Sequence, residues 1–328
     1  MMKNRKSLLS IAVVAAGAVV LAGCGSGDEA EAGAAQASAA PKLAVVATTP
    51  EVADFVRAIG GDAVSVTQII KPNVDPHDFE PTPADIKAIA EAKVVVKNGV
   101  GLEEWLDRTV EASGFQGEVV DSSVGVKLRE GGHEHEEEHA GEEEAEEHEH
   151  DPHIWHDPRN AKIMVGNIEK GLAKADPAGA ATFAGNLTAY GKELDQLDAD
   201  NEAAFAGLPA ADRKLVTNHD ALGYYIDRYK LEFVGSAIPS LDTSAELSAR
   251  QLSDLVARIK ATKTKAIFTE SSLPPKTVEA IAQQAGVKVI GGEDALYGDS
   301  LGEPGTPEGT YLGAERHNTE VIIAGLSG

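Results

Sequence analysis

Cysteine is almost absent from the 328-residue chain, which contains only Cys24. A single cysteine excludes an intramolecular disulfide, and it also excludes zinc and iron–sulfur sites built from several thiolates. Basic residues are scarce too, because 29 Lys and Arg stand against 53 Asp and Glu, for a formal net charge of −24. Nucleic-acid binding needs basic surface to displace counterions from phosphates, so this composition argues against it and favours cations as ligands.

A long apolar run is also missing, since Leu8–Leu21 spans about fourteen residues and a membrane-spanning helix needs about 20. Three basic residues within positions 3–6 precede the run, and Leu21-Ala22-Gly23-Cys24 follows it as a bacterial lipobox. We therefore predict that residues 1–24 are a lipoprotein signal peptide and that Cys24 is lipidated after cleavage. The lipid would anchor the protein to the outer face of the cytoplasmic membrane, or its periplasmic side. The alternative is an uncleaved signal anchor with a buried cysteine.

The rest of the chain predicts a tether followed by two α/β lobes. Residues 25–41 are small and polar without apolar periodicity, as in flexible tethers. Buried-strand runs alternate with helical patterns over residues 42–175, and the alternation restarts over residues 209–328, which predicts a parallel sheet in each lobe. Between them, apolar residues spaced 4, 3, 4 and 3 apart predict one long, rigid linker helix over residues 176–208, starting at Asp176-Pro177. The alternative is one more packed helix of the first lobe.

A cleft between two such lobes would collect residues from the carboxyl ends of strands, where ligands bind in open α/β sheets. His77 follows a predicted strand of the first lobe and His153 follows the low-complexity segment 131–150, whereas His219 and Asp299 follow predicted strands of the second lobe. Three imidazoles and one carboxylate would form a tetrahedral set for a borderline metal such as Zn²⁺. On spacing alone, a supporting or surface role for these histidines is an equally good interpretation.

Half of the ten histidines lie in one low-complexity segment, residues 131–150, together with ten Glu and no Lys or Arg. Clustered His and Glu favour weak, multidentate metal binding. We expect this segment to interrupt the first lobe and to gather additional Zn²⁺ near the cleft or to sense its abundance. The alternative is a solvated acidic run without a role.

Several longer motifs follow one another in an order that resembles the metal-specific solute-binding lipoproteins of bacterial zinc and manganese ABC importers, the ZnuA-like group. The matching segments are PNVDPHDFEPTPADI, VVVKNGVGLEEWLD, DPHIWHDPRNAKIM, KLVTNHDALGYYIDRY, AIFTESSLPPKTVEAIAQQAGVKVI and YGDSLGEPGTPEGTYL. The resemblance implies two Rossmann-like lobes joined by one long helix, with one metal between them. It assigns the ligands to His77, His153, His219 and Asp299.

The resemblance also implies a metal preference and supporting residues. The third ligand is typically His in zinc members and Glu in manganese members, and here it is His219. His156 becomes a neighbour of the site rather than a ligand. Further expectations concern residues around the ligands: Asp78, Asp157, Asp220 and Glu270 support the site or the structure, Asp75 and Glu80 are solvated, and His317 lies on the surface.

The function implied is a non-enzymatic receptor that captures Zn²⁺ outside the cell. Its partners would be an ABC permease and ATPase, with a zinc metallochaperone as a further candidate, and the receptor itself would be monomeric. One alternative is a manganese-binding or adhesin-type receptor. Another is a zinc hydrolase, which is disfavoured because four protein ligands would close the position that catalytic zinc keeps open.

Overall fold

Short apolar strands in the first half of the chain form one parallel sheet. In the computed structural model, which describes residues 41–131 and 150–327, this sheet has the strand order β2-β1-β3-β4. Successive residues of β3 point to opposite faces, so Val94 and Val96 join one apolar cluster while Val95 joins another. Burial on both faces explains why these strands are continuous apolar runs. The strands are β1 (Leu43–Ala47), β2 (Val64–Gln68), β3 (Val94–Lys97) and β4 (Glu118–Asp121).

Three helices of this lobe begin with the same local chemistry. Thr49, Thr82 and Asp157 each cap a helix by accepting a backbone N–H, and each is followed by proline at the first helical position. The cap satisfies an otherwise unpaired N–H, and proline has none to lose there. The predicted start at Thr82 is confirmed. The helices are α1 (Pro50–Gly60), α2 (Pro83–Glu91), α3 (Leu106–Ser113) and α4 (Pro158–Ala175).

The second half repeats the strand–helix pattern. Strand β5 pairs in parallel with β6, β7 pairs in parallel with β8, and β5 packs beside β7. These strands are β5 (Lys214–His219), β6 (Glu232–Ile238), β7 (Ala266–Phe268) and β8 (Lys288–Ile290). The helices are α6 (Gly223–Tyr229), α7 (Ala249–Thr262) and α8 (Lys276–Ala285). The predicted α/β class with two lobes is therefore confirmed.

A 27-residue helix, α5 (Ala180–Ala206), passes from one lobe to the other. Its residues Phe183, Leu194 and Leu197 lie in the core of the first lobe, whereas Phe205 lies in the core of the second. At 1.5 Å per residue the helix is about 40 Å long. The predicted start at Asp176-Pro177 is wrong, because the Asp176 carboxylate accepts the Ala178 N–H and holds a turn there instead.

The last helix, α9 (Tyr311–Ser327), is a second connection between the cores. Tyr311 and Leu312 belong to the first apolar cluster, whereas Val321, Ile322 and Leu326 belong to the second. The sequence predicts one connecting helix, and residues 41–131 and 150–327 contain a second, α9.

Several predictions concern residues outside the described ranges. These are the signal peptide 1–24 with Cys24, the tether 25–41 except for its last residue, and all but the ends of segment 131–150. The lobe boundaries at residues 42–175, 176–208 and 209–328 stay predictions. Across the described ranges, no helix has the combination of length and apolar character that crossing a bilayer requires.

Candidate metal centre

His77 lies in the loop after β2 and is held by its own sequence neighbours. Asp75 accepts the backbone N–H of His77 at 2.9 Å through Oδ1, and Pro76 between them restricts the backbone. The other oxygen of Asp75 accepts the hydroxyl of Thr243, from the second lobe, at 2.5 Å. Asp75 is half-buried with both oxygens hydrogen-bonded, so the expectation that it is solvated is only partly right.

His153 carries the same Asp-Pro-His pattern. Asp151 accepts its backbone N–H at 3.0 Å and also contacts Nδ1 of the ring at 2.8 Å. An ionised carboxylate can only accept here, so Nδ1 holds a proton and Nε2 is the nitrogen that can bind a metal once its own proton is displaced. Sequence reasoning missed Asp151, although the repeated Asp-Pro-His spacing was the signal that could have found it.

His219 and Asp299 come from the second lobe. His219 is the last residue of β5, and Glu270 contacts both its backbone N at 3.1 Å and its ring Nδ1 at 3.0 Å. The expected supporting role of Glu270 thus agrees with its contacts. Asp299 lies in the loop after β8, and its side chain is fully buried.

The structure brings together all four side chains that the resemblance assigns as ligands. One potential ligand atom from each of His77, His153, His219 and Asp299 lies within 4.8 Å of the others. Nε2 of His77 lies 3.3 Å from Nε2 of His153 and 3.5 Å from Oδ2 of Asp299. Nε2 of His153 lies 3.3 Å from Oδ1 of Asp299, and Nε2 of His219 lies 3.3 Å from Oδ2.

These separations fit a small cation. A tetrahedron with bonds of about 2.0–2.1 Å has edges of about 3.3–3.4 Å. Nε2 of His219 and both carboxylate oxygens of Asp299 are buried, and none has a hydrogen-bond partner among the described residues. Burying a polar atom without a partner costs free energy, so these atoms favour the binding of a ligand.

The electrostatics of the cluster favour positive charge. Burial works to lower the pKa of His153, but the carboxylates of Asp299 and Asp151 outweigh it and raise that pKa to about 10. Burial likewise works to lower the pKa of His219, but the carboxylates of Glu270 and Asp299 outweigh it and raise that pKa to about 9. For Asp299, burial works to raise the pKa, yet His219 and His153 hold it well below its usual value. Asp299 therefore stays ionised, and its negative charge stabilises either protonated imidazoles or a bound metal ion.

His156 lies outside the cluster, although it is only three residues from His153. It is fully buried, and its Nδ1 contacts Oε1 of Glu315 at 2.8 Å. Asp157 caps α4 and pairs with Arg159 rather than with a ligand. His317 is half-buried, with Nε2 2.9 Å from the carbonyl of Ala295, so the expected surface position is only partly right.

The three other acidic residues singled out in the sequence differ in burial. Asp78 and Glu80 are both exposed. Exposure was expected for Glu80, whereas Asp78 was expected to support the site or the structure. Asp220 is partly exposed, and burial raises its pKa above the usual value. None of the three supplies an atom to the cluster of possible metal ligands in the described chain.

Two hydrolase motifs also occur in the sequence. Gly298–Gly302 matches G-x-S-x-G, but the Ser300 hydroxyl accepts the Asn73 N–H and donates to the Leu301 carbonyl. Both contacts are backbone groups, whereas a nucleophilic serine is activated by a neighbouring base. Residues 135–139 (HEEEH) match the H-E-x-x-H sequence pattern and lie outside the described residues.

Comparisons with known proteins agree with this geometry. The family model described as zinc-uptake complex component A, periplasmic (ZnuA), matches residues 45–325. The manganese-binding lipoprotein MntA of Bacillus subtilis (strain 168) is 34% identical over 313 residues, which cover 93% of this chain and 95% of MntA. The zinc-binding protein TroA of Treponema pallidum (strain Nichols) is 36% identical over 307 residues, which cover 90% and 92%. A solved structure of the periplasmic zinc binding protein TroA from Treponema pallidum matches with a TM-score of 0.77 and 33% identity, over 87% of this chain and 99% of that chain.

The fold and the site together define a class of protein, the two-lobed receptors that enclose a small ligand between their lobes. The chain belongs to the ZnuA family, because the family model covers most of its length. Relatives in this family are named as metal-binding proteins and as substrate-binding lipoproteins of ABC transporters. The relatives are named for zinc and for manganese, so membership alone leaves the choice of metal open.

Proposed function

We propose that this protein captures Zn²⁺ outside the cell and delivers it to an ABC permease driven by a cytoplasmic ATPase. The observation that carries the proposal is the convergence of His77, His153, His219 and Asp299 from both lobes on one buried point. In this role the metal is cargo, and the four side chains would hold it. Because the side chain of His77 is only 5% exposed and the other three are fully buried, the site has to open for release.

Zinc is the favoured cargo on chemical grounds. Three imidazole nitrogens and one carboxylate are a nitrogen-rich donor set, which suits Zn²⁺ better than the harder Mn²⁺. Four of the contacts between potential ligand atoms, at 3.3–3.5 Å within a set that spans at most 4.8 Å, also suit four-coordinate zinc. The relative TroA is named for zinc.

Manganese is the second candidate, and two observations favour it. The relative MntA is named for manganese. Both oxygens of Asp299 face histidine nitrogens, at 3.3 Å from His153 and 3.3 Å from His219, so the carboxylate could bind through two atoms and raise the coordination number. Manganese prefers such oxygen-rich, higher coordination.

The proposed location follows from the N-terminus. Residues 1–24 have the pattern of a lipoprotein signal, and the relative MntA is named as a lipoprotein. We infer that Cys24 carries the lipid and that the receptor works as a monomer on the outer side of the cytoplasmic membrane. Mass spectrometry of the N-terminal peptide from native membranes checks the lipid directly.

Metal titration with matched variants tests the proposed function. Purified wild type should bind one Zn²⁺ tightly and prefer it to Mn²⁺ when both are offered. His77→Ala, His153→Ala, His219→Ala and Asp299→Ala should each weaken zinc binding by more than about 100-fold, beyond the usual effect of a supporting residue. His317→Ala should retain tight binding, and His156→Ala should weaken it less than His153→Ala does. A His156→Ala variant weaker than His153→Ala would contradict the ligand assignment, and a wild type that prefers manganese would favour the second candidate.

A further inference from the structure

The segment that carries His153 is tied to the opposite lobe by a residue outside the metal cluster. We propose that Trp155, supported by Tyr311 of α9, positions the metal ligands of both lobes relative to one another. The proposal rests on the metal site proposed above and assigns no metal contact to either residue. Both are positioning residues, and both are almost fully buried.

Trp155 connects two ligand-bearing segments directly. Its indole ring packs edge-on against the imidazole of His153, with ring centroids 5.5 Å apart. Its Nε1–H donates to the carbonyl of Gly298 at 3.2 Å, and Gly298 immediately precedes Asp299. One side chain of the first lobe therefore fixes the distance between a ligand on its own side and the ligand loop opposite.

The same contact reaches a third ligand through Gly298. A Cβ atom at this glycine would lie 2.1 Å from Oε2 of Glu270, so the glycine backbone is pressed against that carboxylate. Glu270 in turn contacts the ring of His219 at 3.0 and 3.1 Å. A shift of the Gly298 carbonyl would consequently disturb both Asp299 and the carboxylate that orients His219.

Helix α9 supports Trp155 from behind. The hydroxyl of Tyr311 donates to the backbone carbonyl of Trp155 at 2.6 Å. One helical turn further on, Glu315 contacts Nδ1 of His156 at 2.8 Å, so the same helix face holds two successive residues of the turn that begins at His153. Helix α9 contributes residues to the cores of both lobes, so this support is packed against both.

The donor separations of 3.3–3.5 Å leave little tolerance, since metal sites need their ligands within about 0.5 Å of the productive geometry. Without the Trp155 donor or the Tyr311 support, the distance between the His153 segment and the Asp299 loop would no longer be fixed by these contacts. The ligands would remain present, but the geometry of the bound metal would change.

The test uses two conservative variants and one matched control. Trp155→Phe removes the N–H donor and keeps an aromatic ring, and Tyr311→Phe removes only the hydroxyl. Tyr190→Phe is the control, because its hydroxyl is buried without a partner among the described residues, and Tyr190 packs against Phe55 as Tyr311 does. The probes are Zn²⁺ affinity by chelator competition, the visible absorption spectrum of Co²⁺-substituted protein, and the melting temperature of metal-free protein.

Trp155→Phe and Tyr311→Phe should each weaken Zn²⁺ binding by about tenfold, at the lower end of the effects known for residues that orient ligands. Both should change the intensity or position of the Co²⁺ bands, and Tyr190→Phe should change neither property. A lower melting temperature with unchanged Zn²⁺ affinity and an unchanged Co²⁺ spectrum would overturn the proposal, as would equal effects in Tyr190→Phe. If wild type itself binds neither metal, the proposed function fails instead, which distinguishes the two failures.

Discussion

At the scale of single residues, the candidate ligands are held by carboxylates that do not bind metal themselves. Asp151 fixes His153 and Glu270 fixes His219, each through the ring Nδ1 and the backbone N–H. Arg129 pairs with Asp151 at 2.7 Å, so this carboxylate is itself anchored. Such partners set which imidazole nitrogen faces the metal and raise its basicity.

Glu270→Gln should weaken zinc binding by about 10–100-fold, because the amide keeps a hydrogen bond to His219 but loses the negative charge that supports it. Chelator competition at neutral pH measures the change. Glu279→Gln, an exposed residue on α8, is the matched control and should bind zinc as wild type does. Equal affinities for Glu270→Gln and Glu279→Gln would contradict the assigned role.

The raised pKa values of His153 and His219, about 10 and about 9, predict the pH dependence of the metal-free protein. Their folded-state pKa values exceed the unfolded value, about 6.5, so their contribution to stability is fully present below that pH. It is lost as pH rises through about 9 and 10. The melting temperature of chelator-treated wild type should therefore fall between pH 6.5 and 10, as followed by calorimetry.

The control for this pH dependence is His153→Gln, which cannot be protonated. Its melting temperature should fall less steeply over the same range. Parallel curves for wild type and His153→Gln would show that the imidazole contributes nothing to the trend.

The residue scale also shows what sequence reasoning could reach. His77, His153, His219 and Asp299 were assigned through family resemblance, whereas their spacing alone left a supporting role equally open. Asp151 was missed although the repeated Asp-Pro-His pattern could have found it, whereas Trp155 was missed because its role depends on Gly298 of the second lobe. Asp75 was partly misjudged for the same reason, since its Thr243 partner lies 168 residues away in sequence.

At the scale of secondary structure elements, α5 and α9 determine how the two lobes are joined. Both helices have residues in both cores, so their apolar faces change partner along their length. The helical spacing in the sequence predicted α5, but not the packing of α9 across the lobes, because periodicity gives a buried face and not its partner. The start of α5 was misplaced at Asp176 because an aspartate before proline also favours a turn.

Leu194→Ala, in the middle of α5, should destabilise the protein by about 2–5 kcal/mol, because it leaves a cavity in the first core. Leu187→Ala on the same helix should cost less, since Leu187 is only partly buried. Chemical denaturation of both variants measures the difference in the free energy of unfolding. A Leu187→Ala variant that is the less stable of the two would contradict the assignment of the buried helix face.

At the scale of the whole molecule, charge is concentrated in one segment. Residues 132–149 contain ten Glu and no Lys or Arg, so their removal changes the formal net charge from −24 to −14. The flanking residues Glu130 and His150 form an antiparallel bridge, which lets a short turn replace the segment. The segment adjoins Asp151 and His153 in sequence, so metal gathered there would be close to the site along the chain.

Replacing residues 132–149 with a short Gly-Ser linker should leave the tight one-to-one zinc site intact and lower the total zinc bound at higher free concentrations. Equilibrium dialysis with elemental analysis separates the two quantities. A full-length variant with His133, His135, His139 and His148 replaced by Ser keeps the charge and reports the histidine contribution. Loss of the tight site on deletion would contradict the independence of segment and site.

The most direct measurement of the central claim is a crystal structure of the zinc-loaded protein with anomalous data collected at the zinc edge. The account predicts one strong anomalous peak between the lobes, about 2.0–2.2 Å from Nε2 of His77, His153 and His219 and from a carboxylate oxygen of Asp299. A strong peak elsewhere, or a metal bound by His156 in place of any of these residues, would contradict it.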